Sequence, residues 1–238
     1  MVKYSIFIPA FNAFNFIENF CENIKKQNLK PHQVIIVDDT KNTENFKSEV
    51  EKKLNFLNIS KNLIILKNKK NLKPPRCWNH CLNLFNTKLV FRMDVDDVWS
   101  KDHAEKMLEV YKNNKEYALY LQEYKSSPMK KIFYNNNFLF TNQGLHSSCL
   151  FNLNVIYPKY PIIDLPLDDL YIFIKINYFQ RKKIKFVKFS TCYINTSHDK
   201  RWSNNTNKER KMAMEKKLFY LALKKYLNLK KLNFSIFV

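Results

Sequence analysis

Residues 88–97 read KLVFRMDVDD, an apolar run that closes on three carboxylates, Asp94, Asp96 and Asp97. Like charges this close repel, so a folded chain needs something to offset them. Two answers are open from the residues themselves. One is a solvated acidic turn capping the helix that starts near Ser100. The other is a bound cation, since Asp94 and Asp96 lie two apart in extended chain and can share a hard ion such as Mg²⁺ or Mn²⁺.

Upstream, the same arrangement recurs twice. YSIFIP (4–9) reads as a buried strand that runs into Pro9-Ala10-Phe11-Asn12, and HQVIIV (32–37) as a second that stops at Asp38-Asp39. Between them Phe16, Ile17, Phe20, Cys21 and Ile24 repeat at helical spacing. A helical pattern over 43–56 leads to a strand NLIIL (62–66), and a helix over 75–86 leads back to KLVFRM (88–93). Strands separated by helices of this length predict an α/β domain with a mostly parallel sheet. In open sheets of this kind ligands sit beyond the carboxyl ends of the strands, where all three polar clusters fall.

The second half is less regular. Residues 101–114 read as a helix, YALYLQEY (117–124) as a strand, the stretch around Asn135-Asn136-Asn137 as a loop or hairpin, and KIKFVKFSTCYI (183–194) as one long strand. LPLDDLYIFIKI (165–176) reads as a helix opened by two acids, and 206–230 as a helix with Met212, Met214, Leu218, Leu221, Leu223 and Leu227 at its spacing. With no repeat and no Pro/Gly/Ser linker, one domain is the simplest organisation.

Composition narrows the function classes. The 238 residues are 45% hydrophobic and 15% aromatic, enough for a packed core rather than disorder. The net charge of +20 would suit nucleic acid. However, five of the 41 basic residues are Arg, Lys is spread along the chain, and there is a single Gly, Gly144. Lys, Asn, Phe, Ile and Tyr share AT-rich codons, so genome bias accounts for much of the charge and nucleic acid is not the expected partner. Five Cys in no compact framework suit a reducing cytoplasm. Cys77 and Cys81 flank His80 at no standard zinc spacing and read as buried thiols on a helix. The N-terminal run lacks a signal-peptide pattern, and no stretch approaches the ~18 apolar residues of a span. A cytoplasmic protein, peripheral on the inner membrane face at most, is expected.

Taken in order, IFIPAFN, VIIVDD, NLKPPRCWNHCL and VFRMDVDD resemble the inverting family 2 glycosyltransferases of GT-A fold over residues 4–115. The resemblance implies a Rossmann-like GT-A domain over 1–205, with a nucleotide-sugar-binding half (1–115) and an acceptor half (116–205). It also implies a nucleotide-diphosphate sugar donor and a divalent metal, Mn²⁺ or Mg²⁺. Pro9, Phe11 and Asn12 take the place of the loop that holds the nucleoside, with Phe11 at the family's base-stacking Tyr. Asp39 takes the place of the carboxylate that reads base or ribose. Asp94 would contact the ribose and, with Asp96, the metal on the diphosphate.

The chain departs from the family's pattern at Lys73 and Cys81, where Gly is common, and at Trp78, where Arg is common. Asn71 and Asn79 are kept, and Lys73 or Arg76 would supply the missing positive charge. Asp168 and Asp169 resemble the family's later acid pair, with Asp169 as the base that takes the acceptor's proton; acids opening a helix also simply favour its dipole. His198 matches a further metal ligand of several GT-A enzymes, and HDKRW is similar to the Q-x-x-R-W of processive synthases, whose membrane spans this chain lacks. His146 falls where acceptors approach.

The expected product is a bacterial surface polysaccharide, lipooligosaccharide or glycoprotein glycan, built on a glycan or lipid-linked glycan acceptor. The basic amphipathic segment 206–238 would pack on the domain or lie on an anionic membrane. Among rivals, nucleotidyl transfer on a similar fold needs a Gly-rich loop that IPAFNAFN lacks. A D-x-D phosphatase fits DVDDVWS badly. A basic nucleic-acid- or membrane-binding protein without catalysis would show steeply salt-dependent RNA binding.

Overall fold

A computed structural model describes residues 2–41, 45–55, 62–126, 130–132, 147, 149–160, 172, 175–176, 180 and 182–195. The first half alternates as its periodicity predicts: β1 (Ser5–Ala10), α1 (Ile17–Lys25), β2 (Gln33–Asp38), α2 (Phe46–Leu54), β3 (Leu63–Lys67), α3 (Lys73–Cys81) and β4 (Leu89–Arg92). Then follow β5 (Val98–Trp99), α4 (His103–Lys112), β6 (Leu119–Gln122), β7 (Tyr124–Ser126), β8 (Lys130–Ile132), β9 (Cys149–Asn152), β10 (Ile184–Val187) and β11 (Cys192–Ile194).

Seven strands form the central sheet in the order β10-β6-β9-β4-β1-β2-β3. β1 pairs parallel with both β2 and β4, β2 with β3, and β10 with β6, while β9 is antiparallel to β4 and β6. It is the mixed, mostly parallel sheet that the sequence predicts. Strand side chains alternate between two cores. Ile6, Ile8, Val34 and Ile36 pack with α1, α2 and α4. Phe7, Ile35 and Val37 pack with Cys77, Trp78 and Cys81 of α3 and with Ile172 and Ile176. Burial on both faces is why these strands read as unbroken apolar runs. Each such side chain contributes about 1.5–3 kcal/mol relative to an exposed one.

The chain leaves β1 for β2 on one side and returns to β4 on the other, so the strand order switches direction there. The β1–β4 ladder ends with Phe7 opposite Arg92, and Phe7 accepts from the N–H of Met93 at 3.0 Å. Beyond that the two strands part. Pro9 is tolerated inside a central strand because it lies past this ladder, where its missing N–H has no partner to serve. The crevice so opened is where open α/β sheets bind ligands.

The structure corrects the sequence reading in three places. The predicted strand 117–124 is β6 and β7, which belong to different sheets. The predicted strand 183–194 is β10 and β11, divided in the same way. The short sheet β5-β11-β7-β8 takes both continuations. Both segments bend at one point, where the side-chain carbonyl of Gln122 accepts from the backbone N–H of Thr191 (2.9 Å) and from its hydroxyl (2.5 Å). Third, α3 closes at Cys81 rather than running to 86, with a turn from the Leu84 N–H to the Cys81 carbonyl. The expected helices at 165–176 and 206–230 and the Asn135–Asn137 loop lie wholly or largely outside the described residues.

Candidate active site

The β1 end is a polar turn. Asn12 adopts φ 50°, a left-handed conformation that Asn tolerates better than most residues, and its N–H donates to Thr40 Oγ1 at 2.7 Å. Phe11 before it leaves 51% of its surface in solvent. Phe14, in the 3₁₀ turn that follows, is similarly exposed.

At the β2 end the two acids have different partners. Asp38 accepts from the Thr40 N–H at 3.1 Å and pairs with Lys67 at 2.6 Å. Asp39 turns to the loop before α3. Its Oδ1 accepts from Asn68 Nδ2 (2.7 Å) and the Leu72 N–H (2.8 Å), and its Oδ2 from the N–H groups of Leu72 (3.0 Å) and Lys73 (2.8 Å). A nucleoside would meet this carboxylate already engaged in holding the loop. Asn71 Oδ1 also accepts from the Lys73 N–H at 2.9 Å.

Lys73 itself has φ 65°. The backbone bend that favours glycine is therefore present without a glycine, held by Asp39 and Asn71. Pro74 and Pro75 follow in the first turn of α3 and bring no N–H groups, so any anion beside this helix end must be met by side chains. Trp78, where the family commonly has Arg, is buried against Phe7, Phe85 and Phe151, and its Nε1 donates to the Pro158 carbonyl at 2.9 Å. It carries no charge to the cleft, whereas Arg76 is half-buried two residues nearer the helix start. Asn79 grips the Tyr160 backbone from both sides, donating to its carbonyl and accepting from its N–H at 2.8 Å each.

The D-x-D-D turn follows β4 directly. Asp94 is partly exposed, takes Arg92 Nε on its Oδ1 at 3.2 Å, and donates its N–H to Ser147 Oγ at 3.1 Å. Asp96 is half-buried. Asp97 is buried and faces inward, with its Oδ1 accepting from the N–H of Asn195 at the end of β11, at 3.1 Å. Helix α1 clamps the turn from beneath. Asn19 donates to the carbonyls of Val95 (2.8 Å) and Asp97 (3.0 Å), and Asn23 donates to Asp97 (2.7 Å) while accepting from the Trp99 N–H (3.0 Å). The Asp94 charge thus meets a guanidinium and the Asp97 charge a backbone N–H.

The structure brings Pro9, Phe11, Asn12, Asp39, Asn71, Arg76, Asp94 and Asp96 to the carboxyl edge of adjoining strands β2, β1 and β4 and the start of α3. Asp168, Asp169, His146 and His198 lie outside the described residues. Asn195, three positions before His198, is the residue tied to Asp97. Sequence reading missed Arg92, Ser147, Asn19 and Asn23. The signal for the last two was present, since two Asn at i, i+4 on a helix with Asn23 on its apolar stripe need hydrogen-bonding partners. Cys77 and Cys81 are buried, with both thiols pushed up by that burial, while His80 between them is exposed. The buried-thiol reading fits this arrangement, as the three side chains do not converge.

Helices on both faces of a mixed sheet, with acidic strand ends at its switch point, define a GT-A glycosyltransferase fold. The chain belongs to glycosyl transferase family 2, whose model matches residues 5–197. Over 107 residues it is 30% identical to the amylovoran biosynthesis glycosyltransferase AmsB of Erwinia amylovora, covering 45% of this chain and 35% of AmsB. Among solved structures it resembles S. aureus TarS 1–349 in complex with UDP-GlcNAc, with a TM-score of 0.71 and 18% identity over 94% of this chain and 67% of that one. The mannosyltransferase PcManGT from Pyrobaculum calidifontis, in complex with GDP-Man and Mn²⁺, gives 0.67 and 14% identity over 97% and 66%. At these identities the structures speak for the fold. The chain spans about a third of the length of AmsB.

Proposed function

We propose that the chain is an inverting, divalent-metal-dependent transferase that moves a sugar from a nucleotide-diphosphate donor to a hydroxyl of a glycan. A cytoplasmic protein serving bacterial surface-glycan synthesis is the setting. The observation that carries this reading is the D-x-D turn, clamped by α1 at the point where β4 parts from β1. On this reading Phe11 stacks on the base, with Pro9 and Asn12 shaping its loop. Asp39 and Asn71 hold the loop that borders the ribose, and Arg76 faces the diphosphate.

Among the described residues no three His, Cys, Asp or Glu side chains gather as a metal cage. A small hard cation held by one or two carboxylates and by substrate phosphates needs no such cage, so Asp94 and Asp96 fit Mg²⁺ or Mn²⁺, with His198 as a further ligand. When bound, the ion offsets the charge of the departing nucleoside diphosphate. PcManGT, which has the same fold, holds GDP-Man and Mn²⁺. Asp169 is assigned as the base that takes the acceptor's proton. Ile172, three residues later, is buried on the α3 face of the sheet, the face to which Asp94 belongs by alternation. No described helix is long and apolar enough to cross a membrane, and membrane contact through 206–238 rests on the basic amphipathic pattern of that segment.

Two variants divide the roles. Asp96→Asn should abolish turnover and remove the Mn²⁺-dependent part of donor binding. Asp169→Asn should bind donor as the wild type does and lose transfer. Binding is read as a ligand-induced rise in melting temperature and turnover as release of nucleoside diphosphate. An Asp96→Asn protein with normal turnover would defeat the D-x-D assignment, and an active Asp169→Asn would defeat the base.

A further inference from the structure

Four acidic side chains among the described residues are nearly closed to solvent: Asp38, Asp39, Asp97 and Glu123. Glu123, 6% exposed, follows β6 directly, at the bend where the chain passes into the small sheet.

Its place in the sheet is the basis of the inference. β6 is antiparallel to β9, and β9 to β4, so β6 and β4 run the same way and end at the same edge. Ser147 links the two ends. It takes the Asp94 N–H on its Oγ, and it lies two residues before Cys149, the partner of Leu121, just as Glu123 lies two after Leu121. Asp94, Ser147 and Glu123 therefore stand in a row across three neighbouring strands.

They also share a face. Leu119 and Leu121 pack in the α3-side core, whereas Tyr120 packs on the other side and Gln122 reaches His103 of α4 at 3.0 Å. Alternation sends Glu123 to the α3 side. The same count puts Asp94 there, since Leu89, Phe91 and Met93 pack opposite, and Ser147 is tied to Asp94 through its Oγ.

The row continues the line of the proposed donor. Nucleoside groups belong to the β2 and β1 ends and the diphosphate to the β4 end, so the next group along the edge, over β9 and β6, is the transferred sugar. Adjacent strands lie ~4.8 Å apart, which puts the β6 end about 10 Å beyond the D-x-D turn. We propose that Glu123 reads the donor sugar by accepting hydrogen bonds from its hydroxyls. A carboxylate offers only acceptors on two oxygens, a match for two neighbouring hydroxyls, and such bonds strengthen away from water. This inference rests on the nucleotide-sugar reading above.

The test separates sugar from nucleotide. UDP, GDP, UDP-GlcNAc, GDP-mannose and other UDP- and GDP-sugars are titrated with Mn²⁺ into wild-type protein and Glu123→Gln by calorimetry. The wild type should hold one nucleotide sugar more tightly than its parent diphosphate. Glu123→Gln should keep the diphosphate affinity within about twofold and lose about tenfold for that sugar, the size of one charge-assisted bond. Equal affinities in both proteins would overturn the proposal, and so would an equal loss of sugar and diphosphate, which marks a structural role. A wild type that favours no sugar over its diphosphate also overturns it. A wild type that binds neither UDP nor GDP refutes the donor reading, and this assignment with it. Should Glu123→Gln not fold, Glu123→Asp retains the charge, draws it back by one methylene and takes the same comparison.

Discussion

Lys73 shows how one residue can depart from a family's habit without losing its geometry. At φ 65° an ordinary side chain crowds the backbone at a cost of roughly 1–2 kcal/mol, which glycine avoids. Here Asp39 and Asn71 accept the Lys73 N–H and keep the bend in place. Lys73→Gly should therefore be neutral or stabilising by up to about 1 kcal/mol, since relief of strain outweighs the added freedom of the unfolded chain. Lys73→Val, branched at Cβ, should destabilise by about 1–3 kcal/mol. Urea midpoints of the two variants check this, and a Lys73→Gly less stable than Lys73→Val would contradict it. The missing glycine was legible in the sequence. That the loop keeps its bend was not, because Asp39 lies more than thirty positions upstream and nothing local announces the contact.

At the level of elements, legibility followed periodicity. β1, β2 and β4 read clearly because they are buried on both faces, and the half-buried edge strand β3 because its apolar run is set off by helices on either side. The divided strands β6/β7 and β10/β11 did not, because a bend made by one glutamine and one threonine leaves the apolar alternation intact. His103 supports that bend from α4. Gln122 has its carbonyl committed to Thr191, so its amide donates to His103 Nδ1 at 3.0 Å, and the ring stacks on Trp99 with centroids 3.9 Å apart. Protonating Nδ1 would set two donors against each other, and burial lowers the His103 pKa from 6.5 to about 3. A group with a lowered folded pKa binds fewer protons folded than unfolded. Its stabilising share is complete above pH 6.5 and is lost as pH falls from there toward 3. The melting temperature should accordingly drop between pH 6.5 and 5, above the range of ordinary carboxylates. His103→Gln should flatten that slope, and an unchanged slope would place the titration elsewhere.

For the whole molecule, the third acid of the D-x-D-D turn joins its halves. Asp97 is embraced by α1 through Asn19 and Asn23 on the donor side, and it binds the Asn195 N–H at the end of β11 on the other. The sequence could show three crowded acids after a strand. It could not show that one turns inward, since its partner is 98 positions away. Asp97→Ala would leave a backbone N–H without its acceptor, at a cost of about 1–3 kcal/mol, or several degrees of melting temperature for a chain of this size. The Asp94–Asp96 segment stays clamped by Asn19 on the Val95 carbonyl. On the donor reading proposed above, Mn²⁺-dependent binding of a nucleoside diphosphate should therefore persist while the melting temperature falls. Asp97→Asn, whose side-chain carbonyl can still accept, should recover much of the lost stability. Melting curves with and without UDP or GDP and Mn²⁺ distinguish the outcomes. If Asp97→Ala melts as the wild type does but loses diphosphate binding outright, Asp97 is a ligand of the metal rather than the tie between the two halves.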